Sequence, residues 1–320
     1  MTTDEQIQSA AELLRRGELV AFPTETVYGL GANAFDPIAV AKIFELKGRP
    51  KFDPLIVHIA DPSQLSDLVE TVPHVAVELT KKFWPGPLSI VLKKKPSVPD
   101  IVTAGLPTVA IRWPEHPVAA SIIQAAGLPI SAPSANKFGM VSPTTAAHVA
   151  DQFGESLPVV DGGPCKIGVE SAVVSFVDSD DGSPRLLRHG GVTQEQIETV
   201  TGPIQSKIHE ESQPSSPGQL SRHYSPRTPL VIADEVSVES QEGRSDRVGL
   251  ICLAPTPSTS HFGACEVLSQ QGCLREAAAN LFSAMRRLDE LDLDLIVAEA
   301  VPEQDLGRAI MDRLRRAAAK

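Results

Sequence analysis

Hydrophobic residues in the first part of the chain follow two alternating patterns. Ile7, Ala10 and Leu14 recur at the spacing of an amphipathic helix, which Gly17 ends. Leu19–Phe22 is a short apolar run typical of a buried strand. These patterns alternate as far as residue 202, which indicates an α/β domain whose sheet is not purely parallel. The predicted strands are Leu19–Phe22, Leu55–Ile59, Leu88–Leu92, Thr108–Ile111, Pro129–Ala132, Pro158–Val160, Ser171–Val177 and Arg185–Leu187, and the further predicted helices cover about 37–47, 62–69, 73–83, 115–126 and 142–154.

A change of composition separates this region from the end of the chain. Residues 203–228 contain four Pro and six Ser and show no hydrophobic period, which predicts a linker. Alternation then resumes as a small βαβ-type pattern. We therefore predict an N-terminal domain over 1–202, a linker over 203–228 and a smaller α/β domain over 229–320. The strands predicted in the last domain are Leu230–Ala233, Val248–Leu253 and Leu295–Val301, and the helices cover about 274–290 and 305–318.

The charge balance limits the kind of ligand that the chain can bind. Its 320 residues carry 29 Lys+Arg against 40 Asp+Glu, a formal net charge of -11. This acidic excess argues against a broad face that grips nucleic acid. The net charge does not exclude a local basic pocket.

Several common classes of protein are excluded by what the sequence lacks. Its four cysteines have no CxxC spacing and are too sparse for a disulfide scaffold, so buried thiols are favoured. The polar N-terminus is unlike a secretory signal, and no apolar run reaches the ~18 residues of a membrane helix, so we expect a cytoplasmic protein. P-loop, GxGxxG, HExxH and GxSxG motifs are absent.

Polar residues with possible chemistry stand where predicted elements end. Lys47, Gly48 and Arg49 end a predicted helix, where the cations could simply favour the helix C-terminus. They could equally form an anion clamp, in which lysine and arginine converge on phosphate oxygens. Ser131–Asn136 follows a short strand, where it could bind a ligand close to the backbone or form an ordinary turn.

Two further polar residues lie inside or at the end of apolar strands. Arg112 ends Thr108–Ile111 and needs a partner, which a substrate carboxylate or a structural salt bridge could supply. His58 lies within Leu55–Ile59, where a hydrogen-bonded core histidine is the favoured interpretation of the residue alone.

Six motifs follow one another in a fixed order along the chain. They are Pro23–Leu30, Lys47–Pro50, Pro54–His58, Trp84–Leu88, Ser131–Asn136 and Leu187–Gly191. Considered together, these motifs resemble the YrdC-like family, whose activity is threonylcarbamoyl-AMP synthesis. The element His223–Pro226 and the last α/β unit resemble the long, two-domain form of that family. The resemblance implies an N-terminal twisted mixed sheet with flanking helices and a smaller C-terminal Rossmann-like α/β domain.

The resemblance also implies a reaction. The family makes L-threonylcarbamoyladenylate from L-threonine, bicarbonate and ATP and releases pyrophosphate, with Mg²⁺ bridging phosphate oxygens. A downstream tRNA-modifying transferase complex then uses the product to make threonylcarbamoyladenosine. Two alternatives remain open from the residues: an RNA-binding or ribosome-associated module, and a carbamoyl transferase with another acceptor.

Site residues follow from the resemblance position by position, without a dedicated metal site. Tyr224 implies that the linker acts as a lid over the nucleotide. The implied catalytic residues are Lys47, Arg49, Ser134 and Asn136. The implied L-threonine site comprises Thr26, His58, Arg112, Ala132 and Ser171. The implied ATP site comprises Arg49, Asp53, Thr108, Ser134, Ser142, Arg188 and Tyr224.

Two positions depart from the family pattern. Asp53 stands where asparagine is common, and a carboxylate beside phosphates costs Coulomb energy unless it is protonated, turned away or shared with a cation. His189 stands where proline is frequent. The sequence leaves open the downstream partners, the oligomeric state, the role of the C-terminal domain and whether a side chain acts as general base.

Overall fold

The structure is a computed structural model that describes residues 3–177, 183–206, 223–233, 247–255 and 262–319. The chain divides into two compact units. Residues 207–222 of the predicted linker lie outside the described residues. Unit 1 comprises Met1–Phe138, Pro143–Lys166 and Glu170–Gln219, and unit 2 comprises Gly139–Ser142, Ile167–Val169 and Leu220–Lys320.

Unit 1 is built on one mixed sheet with the strand order β1-β2-β6-β3-β5-β4-β7-β8-β9. Strand β3 runs parallel to β5, whereas β4 runs antiparallel to β5, as the mixed pattern predicts. The strands are β1 Val20–Phe22, β2 Gly29–Asn33, β3 Ile56–His58, β4 Leu88–Lys93, β5 Thr108–Arg112, β6 Ile130–Ser131, β7 Ala172–Ser175, β8 Arg185–Arg188 and β9 Gln205–Ser206.

Helices cover both faces of this sheet. Along β1, Ala21 belongs to a core shared with α2, α4, α7 and α8, whereas Val20 and Phe22 belong to a core shared with α1 and α6. This alternation is the two-residue period of a strand buried on both sides. The helices are α1 Thr3–Arg15, α2 Pro37–Lys47, α3 Leu65–Leu68, α4 His74–Phe83, α5 Asp100–Thr103, α6 Pro117–Ala126, α7 Ala146–Phe153 and α8 Gln194–Thr201.

Unit 2 contains a parallel sheet with the order β10-β13-β11-β12. Helices α9 and α10 are strongly amphipathic, and their apolar faces are buried. A parallel sheet with packed helices agrees with the Rossmann-like prediction. The elements are β10 Leu230–Ile232, β11 Val248–Cys252, β12 Ala264–Val267, α9 Leu274–Asp289, β13 Leu295–Ala298 and α10 Gly307–Ala318.

A few elements differ from the sequence prediction. Strand β2 was not predicted because two glycines interrupt its apolar pattern. The predicted strand Pro158–Val160 forms only an isolated bridge, through Val159 to Ala21. The helix predicted from residue 142 begins at Ala146, because the Thr145 side chain caps it by accepting from the His148 amide. Within the described residues, no helix has the length and apolarity to cross a membrane.

Candidate active site

Helix α2 places the first group of cations. Asp36 caps its start by accepting from the amides of Ile38 and Ala39. At its end Gly48 has a φ of +63°, a left-handed conformation that glycine adopts without strain. The chain therefore reverses directly after Lys47 and brings Arg49 back beside it.

Lys47 links this helix to the segment that follows β6. Its Nζ donates to Ser134 O at 2.6 Å and also to Asn136 O. Burial, together with the nearby Arg49 charge, lowers the pKa of the Lys47 ammonium well below its ordinary value. Lys47 thus holds the backbone of the Ser131–Asn136 motif against the end of α2.

Arg49 pairs with the unusual residue Asp53. Arg49 Nη2 lies 2.9 Å from Asp53 Oδ1, and the same guanidinium donates to the carbonyls of Asp53 and Pro54. Burial raises the pKa of Asp53, while the charges of Arg49, Lys47 and Arg188 hold part of that rise back. The carboxylate is therefore shared with cations of the protein.

Arg188 contacts Ser171, one of a pair of buried serines. Its Nε and Nη2 donate to Ser171 O at 3.1 and 3.0 Å, and Nη2 also lies 3.1 Å from Ser171 Oγ. Ser171 Oγ in turn lies 2.8 Å from Ser89 Oγ. Gly190 packs so closely on Ser171 that an added Cβ would lie 2.2 Å from the Ser171 carbonyl carbon. The glycine of the Leu187–Gly191 motif thus fixes the position of Ser171.

Arg112 stands at the end of β5, next to both Ser89 and His58 in the sheet. Ser89 is its partner in the antiparallel β4–β5 ladder, and His58 is its partner in the parallel β3–β5 ladder. Arg112 Nε donates to Gly86 O at 3.3 Å. Its Nη2 lies 2.7 Å from Glu25 Oε1, and both side chains are 4% exposed. Arg112 therefore forms a salt bridge with Glu25 in addition to any contact that it makes with a ligand.

His58 is held as a neutral imidazole. Its ring packs edge-on against Phe22, with ring centroids 6.5 Å apart. Burial, and then the Arg112 charge, lowers the pKa of His58 from 6.5 to about 3. A neutral ring can exchange hydrogen bonds with a ligand without adding charge to the site.

This shift predicts a pH dependence of stability. Between about pH 6.5 and 3 the unfolded chain binds a proton at His58 that the folded chain does not bind. The free energy of unfolding should therefore fall as pH falls, by up to about 1.4 kcal/mol per pH unit from this group. Urea unfolding of wild type and His58→Asn through this range tests the prediction. The variant should show the shallower slope, and equal slopes would contradict it.

Direct contacts join the sequence-predicted residues of unit 1 in small groups: Lys47 with Ser134 and Asn136, Arg49 with Asp53, and Arg188 with Ser171. Thr26 lies in the loop between β1 and β2 beside Glu25, and is fully buried. The Ala132 amide already donates to Ile56 O at 3.0 Å, so a ligand would meet the Ala132 carbonyl. Thr108 begins β5, and the parallel register continued by two residues sets it beside Pro54, whose carbonyl accepts from Arg49. Its ATP-binding role stays a prediction.

Two other predicted residues, Ser142 and Tyr224, belong to unit 2. Tyr224 has a φ of +63° and is 1% exposed. Its ring stacks on Phe282 at 5.4 Å, and the Arg313 guanidinium lies 5.2 Å from the ring centroid. The lid role of Tyr224 stays a prediction.

Sequence reasoning missed two residues of the site. Glu25 lies inside the Pro23–Leu30 motif, but nothing in the sequence places it beside Arg112. Ser89 carries no signal in the sequence, since one serine in the apolar run Leu88–Leu92 does not reveal its partner, and the structure shows it fully buried beside Ser171.

The described residues offer no set of side chains for a metal ion held by the protein. Among the described residues, no group of three His, Cys, Asp or Glu side chains could hold a metal ion. The carboxylate nearest the cations, Asp53, is paired with Arg49. The residues therefore do not form a protein-held metal centre, and magnesium remains a prediction tied to ATP phosphates.

Comparison with known proteins places the chain in a family. Residues 12–190 match the Sua5–YciO–YrdC family model, which carries the description Telomere recombination. The chain belongs to the Sua5–YciO–YrdC family. Residues 192–319 match a second model, described as the C-terminal domain of threonylcarbamoyl-AMP synthase.

Individual relatives match over nearly their full length. Threonylcarbamoyl-AMP synthase of Bacillus subtilis is 48% identical over 99% of this chain and 94% of the relative. The Pyrococcus abyssi synthase is 44% identical over 98% of this chain and 94% of the relative. The crystal structure of P. abyssi Sua5 complexed with L-threonine has a TM-score of 0.90 and 41% identity, and the match covers 99% of this chain and 95% of that one. These findings confirm the family and the α/β fold that the motifs predict.

Proposed function

We propose that this chain is an enzyme that synthesises L-threonylcarbamoyladenylate from L-threonine, bicarbonate and ATP and releases pyrophosphate. The observation that carries the proposal is a set of buried cations in unit 1 that polar contacts hold in place. Lys47 donates to the Ser134 and Asn136 carbonyls, and Arg49 pairs with Asp53. Arg188 contacts Ser171, whose hydroxyl lies 2.8 Å from that of Ser89, and Ser89 is the strand partner of Arg112. Lys47, Arg49 and Arg188 suit phosphate oxygens, and the Arg112 fork suits a carboxylate.

This arrangement suits the two bond-forming steps. Arg112 binds the threonine carboxylate. The threonine ammonium releases one proton to solvent, and the resulting amine attacks the bicarbonate carbon to form a carbamate and water. An oxygen of the carbamate then attacks the α-phosphorus of ATP, and pyrophosphate leaves. Lys47, Arg49 and Arg188 neutralise phosphate charge during this transfer, and fixed positioning supplies much of the rate.

The threonine substrate is supported by the relatives. The full-length matches carry the name threonylcarbamoyl-AMP synthase, and the P. abyssi structure was solved with L-threonine. ATP, bicarbonate and magnesium belong to the proposal through the cation cluster and the chemistry of the product. We also propose that the product passes to a tRNA-modifying transferase complex in the cytoplasm.

The two alternative functions are not favoured. An RNA-binding module would use exposed basic residues, whereas Lys47, Arg49, Arg112 and Arg188 are all at least nine-tenths buried. A carbamoyl transferase with another acceptor would not require a threonine site, and the synthase names of the relatives argue against it.

The proposal is tested by measuring pyrophosphate release with each substrate omitted in turn. We expect release by the full-length chain only when ATP, L-threonine and bicarbonate are all present. Release that continues without threonine would contradict the proposed reaction. A tRNA affinity that falls steeply with salt, without any pyrophosphate release, would favour the RNA-binding alternative.

A further inference from the structure

Glu25 sits in a loop that the structure holds rigidly. Thr24 Oγ1 accepts from the amides of Thr26 and Val27 at 3.2 Å each and donates to Val27 O at 2.6 Å. It also lies 2.8 Å from Thr26 Oγ1. These contacts fix the backbone on both sides of Glu25, whose residue is 3% exposed. The Glu25 carboxylate is thus buried on a preformed turn.

The surroundings of this carboxylate leave its hydrogen-bonding capacity unused. Arg112 Nη2 lies 2.7 Å from Glu25 Oε1, but neither Glu25 oxygen nor Nη2 has a hydrogen bond of proper geometry. Among the described residues, the charge of Glu25 also acts on His116 and Cys165, and the charge of Lys166 acts on His116. A buried carboxylate without oriented donors is costly, so this one points to a donor that a ligand brings.

We propose that Glu25 binds the α-ammonium group of the threonine substrate while Arg112 binds its carboxylate. This inference rests on the proposed function and extends it to a substrate-binding residue with no assigned role. An ammonium supplies three N–H donors, which match the two unused carboxylate oxygens. Thr26, predicted to line the threonine site, is the next residue in the same fixed loop.

Charge balance supports the same assignment. Glu25 and Arg112 form a buried pair of opposite charges, and threonine is a zwitterion without net charge. The threonine ammonium can lie beside Glu25 and the threonine carboxylate beside Arg112, so binding adds no uncompensated charge to the interior. A carboxylate ligand that lacks the amine would bring a net negative charge beside Glu25. The pair therefore selects α-amino acids over simple hydroxy acids.

The test compares L-threonine with (R)-3-hydroxybutanoate, which keeps the carboxylate and hydroxyl but lacks the amine. Isothermal titration calorimetry on the full-length chain should show that Glu25→Gln weakens L-threonine binding by about tenfold or more. The same variant should leave (R)-3-hydroxybutanoate binding equal or stronger, because the opposing carboxylate is gone. Glu25→Asp keeps the charge and should restore part of the preference for threonine. Glu155→Gln, at an exposed position, is the matched control and should behave as wild type.

Each other outcome has a definite meaning. If Glu25→Gln weakened both ligands by the same factor, the role of Glu25 would be structural and the inference would be overturned. Unchanged threonine binding by Glu25→Gln would overturn it as well. If Glu25→Gln did not fold, the wild-type affinities would decide: L-threonine binding no tighter than (R)-3-hydroxybutanoate binding would overturn the inference, and threonine binding at least tenfold tighter would support it. Wild-type protein that binds neither ligand and releases no pyrophosphate would instead defeat the proposed function.

Discussion

Replacement of Arg112 by alanine should raise the threonine concentration needed for half-maximal activity by roughly 30- to 1,000-fold. This range corresponds to about 2–4 kcal/mol, the usual cost of removing one partner from a buried, charged hydrogen-bonded contact. ATP affinity should change little, because the contacts of Arg112 with Gly86 and Glu25 involve no partner of Lys47 or Arg49. Steady-state pyrophosphate release, with threonine and ATP varied separately, measures both quantities.

A control is needed because Arg112→Ala also leaves Glu25 buried without its ion-pair partner. That loss can destabilise the fold by about 3–5 kcal/mol. Arg112→Lys keeps the charge and removes the guanidinium fork, so it should remain folded and still bind threonine poorly. Equal losses of threonine and ATP affinity in Arg112→Lys would contradict the assignment.

Replacement of Arg49 by alanine should nearly abolish pyrophosphate release, with a loss of roughly a hundredfold to a thousandfold. Removal of one preorganised group that stabilises transition-state charge has an effect of this size. Arg49 is also the ion-pair partner of Asp53, so the single variant should lose stability as well. Activity and thermal unfolding of the same preparation measure the two losses.

The double variant Arg49→Ala/Asp53→Asn separates these two effects. Asparagine at position 53 removes the buried carboxylate that Arg49→Ala leaves unpaired, so much of the stability should return. Activity should not return, because the cation for phosphate is still missing. Recovery of activity together with stability would mean that Arg49 serves only to neutralise Asp53. This double-mutant cycle is informative because Arg49 and Asp53 are in direct contact.

The sequence predicted the members of the site better than their contacts. Lys47, Arg49, Arg112 and Arg188 stand out because cations end elements that are otherwise apolar, and the family resemblance assigns their roles. The pairing of Glu25 with Arg112 could not be predicted, because it depends on how a loop after β1 meets the end of β5. The buried hydroxyl of Ser89 has its partner in Ser171, which Arg188 also contacts, and residues so distant in sequence give no sign of this pairing.

Asp53 shows the same limit. A carboxylate is unfavourable beside phosphates, and nothing in the chain's residue pattern distinguishes protonation, rotation and sharing with a cation. The turn after Gly48 brings Arg49 back to within 2.9 Å of Asp53 Oδ1. The hydrophobic pattern also does not predict the strand order. Strand β6 lies between β2 and β3 in the sheet, although β4 and β5 precede it in the chain.

The central claim is that one site joins threonine, bicarbonate and ATP. The most direct test incubates the full-length chain with ATP, L-threonine and ¹³C-bicarbonate and identifies the nucleotide product by mass spectrometry. We expect threonylcarbamoyl adenylate that carries the isotope, together with an equal amount of pyrophosphate. An adenylate without the isotope, or pyrophosphate release that is indifferent to bicarbonate, would contradict the account.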